Sequence, residues 1–430
     1  MVMRLRKGLE IRNGRLFMGG CDTVELAKEY GTPLYVMDEE FIREKCREYV
    51  SAIKEYGAGL ICYASKAFSC KEIYRIINQE SMGADVVSGG ELLTAAAAGF
   101  PMDKVYFHGN NKTEAELRLA VKHGVRAVVI DSLSEIGFLQ GIAGSEKAKV
   151  NVLIRLNPGI DAHTHASVKT ASEDSKFGCS VSDGTALAAV REISASKNLR
   201  FKGLHTHIGS QIFELEPYEK LIDCFVKLSL EIRDKLFAEV KEFNMGGGFG
   251  IRYTEGDKQI GLGESARHIS RLVNEKTAAA GLPKPFLVFE PGRSIVAEAG
   301  VTLYTVGAVK ENGGRKYIAV DGGMFENPRF ALYQAKYEAL IADKAGLPGT
   351  EKVSVAGKCC ESGDMVIGET LLQEAKRGDI LAVLCTGAYN FSMASNYNRN
   401  PVPPVVMVKD GKARIVVKGQ TFGDMFARDI

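Results

Sequence analysis

The sequence predicts an α/β chain: a TIM-like (β/α)8 barrel followed by an antiparallel β-domain of sandwich or Greek-key character. Three observations lead there. Short apolar runs alternate with helix-like stretches through the first two thirds of the chain, the pattern of a parallel sheet with crossover helices. There are eight such units in about 250 residues, which suits a closed barrel better than an open sheet. After about Val301 the helices give way to short β-rich runs separated by Gly, Asn or Lys turns, as in antiparallel β-domains.

In order, the barrel runs are Leu60–Ala64, Ala84–Val87, Val105–Phe107, Ala127–Ile130, Val152–Leu156, Gly203–Thr206, Glu242–Met245 and Phe286–Phe289. Amphipathic or Ala-rich stretches such as Glu91–Ala98, Glu114–Lys122, Tyr218–Lys235 and Glu264–Ala280 lie between them. A further unit, Leu34–Met37 and its following helix, is expected to lead into the barrel. The later runs are Tyr317–Val320, Lys352–Val355, Ile380–Leu384, Val405–Val408 and Ala413–Val417, with one helix expected over Ala331–Ile341. Leu9–Phe17 has the form of a hairpin turning at Asn13-Gly14, a pair suited to a two-residue turn. The expected domains are therefore 33–300 for the barrel, and 1–32 together with 301–430 for the β-domain.

Bulk composition narrows the function. With 430 residues, 45% hydrophobic and 25% charged, this is an ordinary globular composition. A net charge of +2 gives no electrostatic reason to bind nucleic acid or an anionic membrane. No apolar run has the length of a membrane span, and the basic N-terminus lacks the apolar stretch of a secretory signal. The nine cysteines are an odd number without a C-x-x-C pair, which points to reduced thiols in a cytoplasm.

The chemistry is expected where barrel strands end. Lys66 follows the first run, and a lysine withdrawn from water there becomes a nucleophile able to form a Schiff base. Asp85, His108, Asp131, Arg155, Asn157, His205 and His207 stand at or beyond the next strand ends. Gly246-Gly247-Gly248-Phe249-Gly250 follows the seventh run, where consecutive backbone N–H groups can cradle a phosphate. Glu290-Pro291-Gly292-Arg293 follows the eighth. A buried carboxylate needs a cationic partner, and a protonated pyridine nitrogen is one. Amine, glycine nest, arginine and carboxylate together meet the needs of pyridoxal phosphate. A rival reading takes His205-Thr206-His207 and His163-Thr164-His165 as paired ligands of a hydrolytic metal; it leaves Lys66 and the glycines without a task, and no metal is expected. For His205 alone, a core histidine is the simpler reading.

These strings resemble the fold-type III pyridoxal-phosphate decarboxylases, in particular the diaminopimelate decarboxylase family. The resemblance rests on Tyr63-Ala-Ser-Lys66-Ala67, Asp85-Val-Val-Ser88-Gly-Gly-Glu91, His108-Gly-Asn-Asn-Lys112, Arg155-Leu-Asn-Pro158 and Ser175-Lys176-Phe177-Gly178. It continues through His205-Thr-His207-Ile-Gly-Ser210, Gly246–Gly250, Glu290-Pro-Gly-Arg293, Cys360-Glu361-Ser362-Gly-Asp364 and Gly387-Ala-Tyr389 to Asn398. The set keeps the family's order over nearly the whole chain.

The resemblance implies a role for each position. Lys66 would hold the cofactor as a Schiff base, His207 would stack on its ring and Glu290 would pair with its nitrogen. Asp85, Ser210, Gly246, Gly247, Gly248, Gly292, Arg293 and Tyr389 would complete its binding. Arg293, Arg329, Tyr333, Glu361 and Tyr389 would contact substrate, and Cys360 would deliver a proton. The catalytic set is thus Lys66, Cys360, His207 and Glu290, completed in a homodimer with shared sites. Arg329 suits a second carboxylate and Glu361 a distal ammonium, which favours meso-2,6-diaminopimelate over ornithine, lysine or arginine. A racemase would need a base on each face of the ring, and a silent regulatory homologue would have no use for Lys66, Glu290 and Cys360 together. Three positions depart from the family pattern: Gly357-Lys358-Cys359 before Cys360, Phe330 after Arg329, and Asn390 after Tyr389.

Overall fold

The computed structural model describes residues 5–160, 175–258 and 260–430. The chain forms two compact units: Lys45–Gly250 with Lys258–Ser294, and Met1–Glu44 with Ile251–Asp257 and Ile295–Ile430.

The first unit is a closed barrel of parallel strands. Gly59–Ala64, Gly83–Val86, Val105–Phe107, Ala127–Ile130, Val150–Asn157, Leu199–His205, Glu242–Asn244 and Phe286–Phe289 pair in that order, and the last pairs back onto the first. Their residues are mostly buried on both faces, which is why they read as continuous apolar runs. Cys62, Tyr106, Ala127, Val129, Leu153 and Val288 fill the interior. At its N-terminal end Arg126 donates to the Tyr106 hydroxyl (2.6 Å), which itself bonds to Glu242, and lies 4.6 Å from the Phe286 ring centroid. That plug is polar yet satisfied, as buried polar groups must be.

Local chemistry sets the outer helices. In Lys71–Gln79 the buried Ile73, Tyr74, Ile76 and Ile77 make one stripe at helical spacing. Ser88 caps Gly89–Ala97 by accepting from the Glu91 N–H, and Thr113 and Glu116 form a reciprocal capping box on Glu114–His123; each such cap contributes about 1 kcal/mol. The helices thus begin just beyond strand ends, where polar side chains are already required.

The second unit holds a mostly antiparallel sheet. Its organising strand is Gly300–Asn312, 13 residues long, which pairs with Arg315–Val320, Ile380–Leu384 and Leu34–Asp38. Two pairings are parallel: Leu34–Asp38 with Val405–Lys409, and Arg315–Val320 with Glu351–Ala356. The N-terminal hairpin Leu9–Arg12 and Arg15–Met18 turns at Asn13-Gly14, both at positive φ. Its Leu9, Leu16 and Met18 join Leu34, Val36, Val301, Leu303 and Ala382 in one core.

Two expectations are corrected and one strand is added. Leu34–Asp38 does not introduce the barrel; all five residues are buried because the strand sits inside the second sheet, with neighbours on both sides. The helix expected over Ala331–Ile341 is only Arg329–Tyr333, ended by Gln334 at φ 52, and Ala339–Ile341 is a strand on Ile380–Leu384. The strand Met365–Leu372 is also new, its polar alternation having hidden it. Among the described residues no helix is long and apolar enough to cross a membrane. No disulfide joins any of the nine cysteines.

Candidate active site

The C-terminal ends of the barrel strands bring most of the expected residues together. Lys66 sits half-buried in the single turn Ser65–Ala67. That turn is held by Ser65, whose hydroxyl reaches the Asp85 carbonyl (2.9 Å) and Glu91 Oε2 (2.7 Å). Gly292 presses against Ala64 and Ala67; a Cβ there would stand 2.9 Å from the Ala64 Cβ and 3.0 Å from its carbonyl oxygen. The lysine turn is therefore packed from the strands on either side.

Glu290 is the centre of the charge network. Asn244 Nδ2 donates to its Oε1 at 2.7 Å, His205 Nε2 lies 3.1 Å from Oε2, and His108 Nε2 lies 2.8 Å from Oε1. The two imidazoles meet edge to face, their centroids 4.6 Å apart. Burial alone would raise the Glu290 pKa, but His108 and His205 outweigh it and hold the carboxyl well below its ordinary range. Burial lowers His205 to about 3, so it is neutral. His108 is raised, because Asp85 and Glu290 overcome its own burial. Asp85, 3.6 Å from His108, is pushed up to about 6 by burial, with Glu290 adding to the rise. Its Oδ1 is a buried acceptor without a hydrogen bond among the described residues, as is the His205 Nδ1.

His207 differs from its neighbour. The Gly247 N–H donates to its Nδ1 at 3.3 Å, which fixes the neutral tautomer carrying its proton on Nε2. Burial, with the Lys66 and Arg155 charges, depresses its pKa further. Arg155 lies 3.9 Å from Asp131 and 4.2 Å from the Phe177 ring centroid.

The glycine loop is close-packed against backbone. A Cβ on Gly246, Gly247 or Gly248 would stand 2.4, 2.2 or 2.5 Å from the carbonyl oxygen of Thr206, Glu290 or Gly209. No side chain fits there, so the loop offers backbone only. Asn244 Oδ1 accepts from the Gly246 N–H at 3.0 Å, so one amide ties the loop to Glu290. Beside it, Arg293 Nε and Nη2 both donate to Ser210 Oγ, at 3.2 and 3.0 Å. An amine, a carboxylate held anionic, a neutral imidazole, a backbone cradle and an anchored guanidinium converge on one barrel mouth, and these residues fit pyridoxal phosphate.

The other expected residues belong to the second unit. Arg329 is 7% exposed; its Nη1 donates to the Tyr337 hydroxyl at 2.8 Å, and its guanidinium lies 4.6 Å from the Tyr253 centroid. Tyr333 ends the same short helix, half-buried. Cys360 and Glu361 are exposed on a turn organised by Asp364, which accepts from the Cys359 and Met324 N–H groups at 2.6 Å each. The Cys360 N–H donates to Asn398 Oδ1 at 2.8 Å. Cys359 is buried and its thiol is raised to about 11. Tyr389 is half-buried at φ 59.

Sequence reasoning missed Asn244 and gave His108 no role. It took His205 for a core histidine; the side chain is buried, and its hydrogen-bond partner is Glu290. The group of three or more possible metal-ligating side chains whose atoms come within 4.8 Å of one another, among the described residues, is His108, His205 and Glu290, without His207. His163 and His165 lie outside the described residues.

Fold and site define a pyridoxal-phosphate-dependent barrel enzyme. Residues 39–297 match the pyridoxal-binding domain of the pyridoxal-dependent decarboxylases, and the chain belongs to that family. The diaminopimelate decarboxylase of Bacillus subtilis (strain 168) is 46% identical, over 97% of this chain and 96% of the relative. A crystal structure of the M. jannaschii diaminopimelate decarboxylase in complex with L-lysine superposes with a TM-score of 0.91 at 33% identity, covering 99% of both chains. The Vibrio vulnificus lysine/ornithine decarboxylase complexed with putrescine shares the fold at 23% identity and a TM-score of 0.74, over 90% of this chain and 98% of that one.

Proposed function

We propose that the chain is a carboxy-lyase that removes one α-carboxylate of meso-2,6-diaminopimelate, giving L-lysine and CO2, the closing step of lysine biosynthesis. The observation that carries the substrate is Arg329: a buried guanidinium whose one hydrogen-bond acceptor among the described residues is a phenol. A buried cation is costly unless an anion joins it. The second carboxylate of diaminopimelate is such an anion; ornithine and lysine lack it. The 46% identity to a named diaminopimelate decarboxylase supports the same choice.

When bound, pyridoxal phosphate supplies an electron sink for the pair left behind as the carboxylate departs. Lys66 supplies the tethering amine. Glu290, held anionic, would pair with the ring nitrogen, and His108, His205 and Asn244 fix the carboxylate's orientation. The neutral His207 would stack on the ring, and Asp85 would complete its binding. Ser210, Gly246, Gly247, Gly248 and Tyr389 would hold the phosphate, with Gly292 and Arg293 completing the cofactor's binding. Arg293, Arg329, Tyr333, Glu361 and Tyr389 hold the substrate, with Glu361 beside its distal ammonium. Cys360 delivers a proton to the α-carbon, a task for which an exposed thiol is suited.

The exposure of Cys360 and Glu361, with Met393 at 36% and Tyr397 at 40%, supports a homodimer that covers this surface and shares its sites. Thiols without disulfides support a cytoplasmic setting. The first test is incubation with meso-diaminopimelate while following CO2 and lysine; no release of either refutes the activity. Lys66→Ala should lose the visible cofactor band and lower kcat by about 10⁴-fold or more. Mixing Lys66→Ala with Cys360→Ala should restore about a quarter of the wild-type activity if sites are shared across a two-fold axis; mixtures that stay inactive refute the sharing.

A further inference from the structure

We propose that Tyr337 and Asn390 are positioning residues that hold the Arg329 guanidinium ready for the substrate's second carboxylate, and so set selectivity for amino acids that carry one. The inference rests on the reading of Arg329 given above.

Three buried side chains form a chain of hydrogen bonds. Asn390 is fully buried and Tyr337 is 3% exposed. Asn390 Nδ2 donates to the Thr386 carbonyl at 2.9 Å and to the Tyr337 hydroxyl at 3.3 Å. The first contact fixes which end of the amide faces which way, because only the NH2 end can donate to a carbonyl. The second N–H of that group then has Tyr337 as its acceptor. The same hydroxyl oxygen accepts from Arg329 Nη1 at 2.8 Å. With two donors converging on it, the phenol oxygen is fixed in place and its ring cannot swing without leaving one donor unsatisfied.

The arrangement leaves Arg329 fully charged. Its acceptor is a neutral phenol: burial raises the Tyr337 hydroxyl to about 12 despite the guanidinium beside it. One Nη is occupied, and the Tyr253 and Tyr337 rings lie 4.6 and 5.5 Å from the guanidinium carbon. A guanidinium held in this way keeps in-plane donors for a carboxylate, the geometry of bidentate recognition. A carboxylate at position 337 or 390 would have satisfied the cation internally and removed the reason to bind an anion. Asn390 also follows Tyr389 directly, so Asn390 and Tyr337 together link the Tyr389 backbone to the guanidinium. It is one of the positions at which the sequence departs from the family pattern.

The test uses the holoenzyme and three variants, Tyr337→Phe, Asn390→Gly and Asn390→Asp, with CO2 release from meso-diaminopimelate and competitive inhibition by L-lysine, which lacks the second carboxylate. Tyr337→Phe and Asn390→Gly should raise KM for diaminopimelate about tenfold, with smaller changes in kcat and in the lysine inhibition constant. Asn390→Asp, which places an anion near Arg329, should raise KM further. An unchanged KM in all three overturns the inference. So does a loss in which KM, kcat and lysine inhibition shift together, which is what a purely structural role would give. If the wild-type enzyme turns over diaminopimelate, either result leaves the proposed activity standing; if it does not, both readings fall. Tyr337→Phe preserves the ring and serves as the measure should either Asn390 variant fail to fold.

Discussion

At the barrel mouth the Glu290 carboxylate meets two imidazoles and an amide, whereas in the other unit the Arg329 guanidinium meets one phenol and two aromatic rings. Both charges are withdrawn from water. The first is satisfied by the chain itself, the second is not. A charge satisfied in advance can tune a bound cofactor without waiting for it. A charge left short of a counter-ion is a binding site whose cost is met only when an anion arrives.

The contrast can be broken by substitution. Glu290→Gln keeps shape and removes charge; kcat should fall about 10²- to 10³-fold, and the visible cofactor band should change its dependence on pH. A variant with wild-type kcat would remove Glu290 from the mechanism. Arg329→Met should raise KM for diaminopimelate about 10- to 100-fold, with a far smaller change in lysine inhibition. An equal change in both would end its assignment to the second carboxylate.

Stability of the cofactor-free protein sharpens the same comparison. Glu290→Gln removes one of the two carboxylates that face the buried His108 and should lower unfolding free energy by about 2–4 kcal/mol. Arg329→Met removes a cation that has no carboxylate partner among the described residues, and should be neutral or stabilise by about 1 kcal/mol. Urea denaturation of both would expose any case in which the two variants shift in the same direction by the same amount.

The smallest effect concerns Asp85. Its carboxyl is raised from 3.8 to about 6 in the fold, so the folded chain binds the proton more tightly than the unfolded one. The stability this contributes is present below about pH 4 and is lost as pH rises through about 6. Asp85→Asn, measured without cofactor, should match wild type near pH 4 and exceed it at pH 7 by about 1–2 kcal/mol. A difference independent of pH would count against the raised pKa.

How far the sequence discloses this depends on the range of the interaction. The barrel strands are legible because a strand buried on both faces shows as an apolar run, and the residue that ends it is necessarily different. Lys66, the glycines and Glu290 stand out for that reason. The support of Glu290 is not legible: His108, His205 and Asn244 come from three separate strand ends, and only barrel closure brings them to one carboxylate. That Leu34–Asp38 belongs to the second sheet is not legible, because a local apolar run carries no information about its partner. The Ala331–Ile341 stretch looked helical by composition, yet pairing with Ile380–Leu384 claims its last residues.

That strand has a consequence for how the protein is made. Leu34–Asp38 pairs with Gly300–Asn312 and Val405–Lys409, so during synthesis it has no partner until residue 300 and only one until residue 405. The barrel, by contrast, has all its strands once residue 289 has emerged. Long-range pairing of this kind is slow and leaves apolar edges open to aggregation. A nascent chain arrested between residues 289 and 300 would thus carry every barrel strand beside an unpaired, apolar Leu34–Asp38, the natural target for a chaperone.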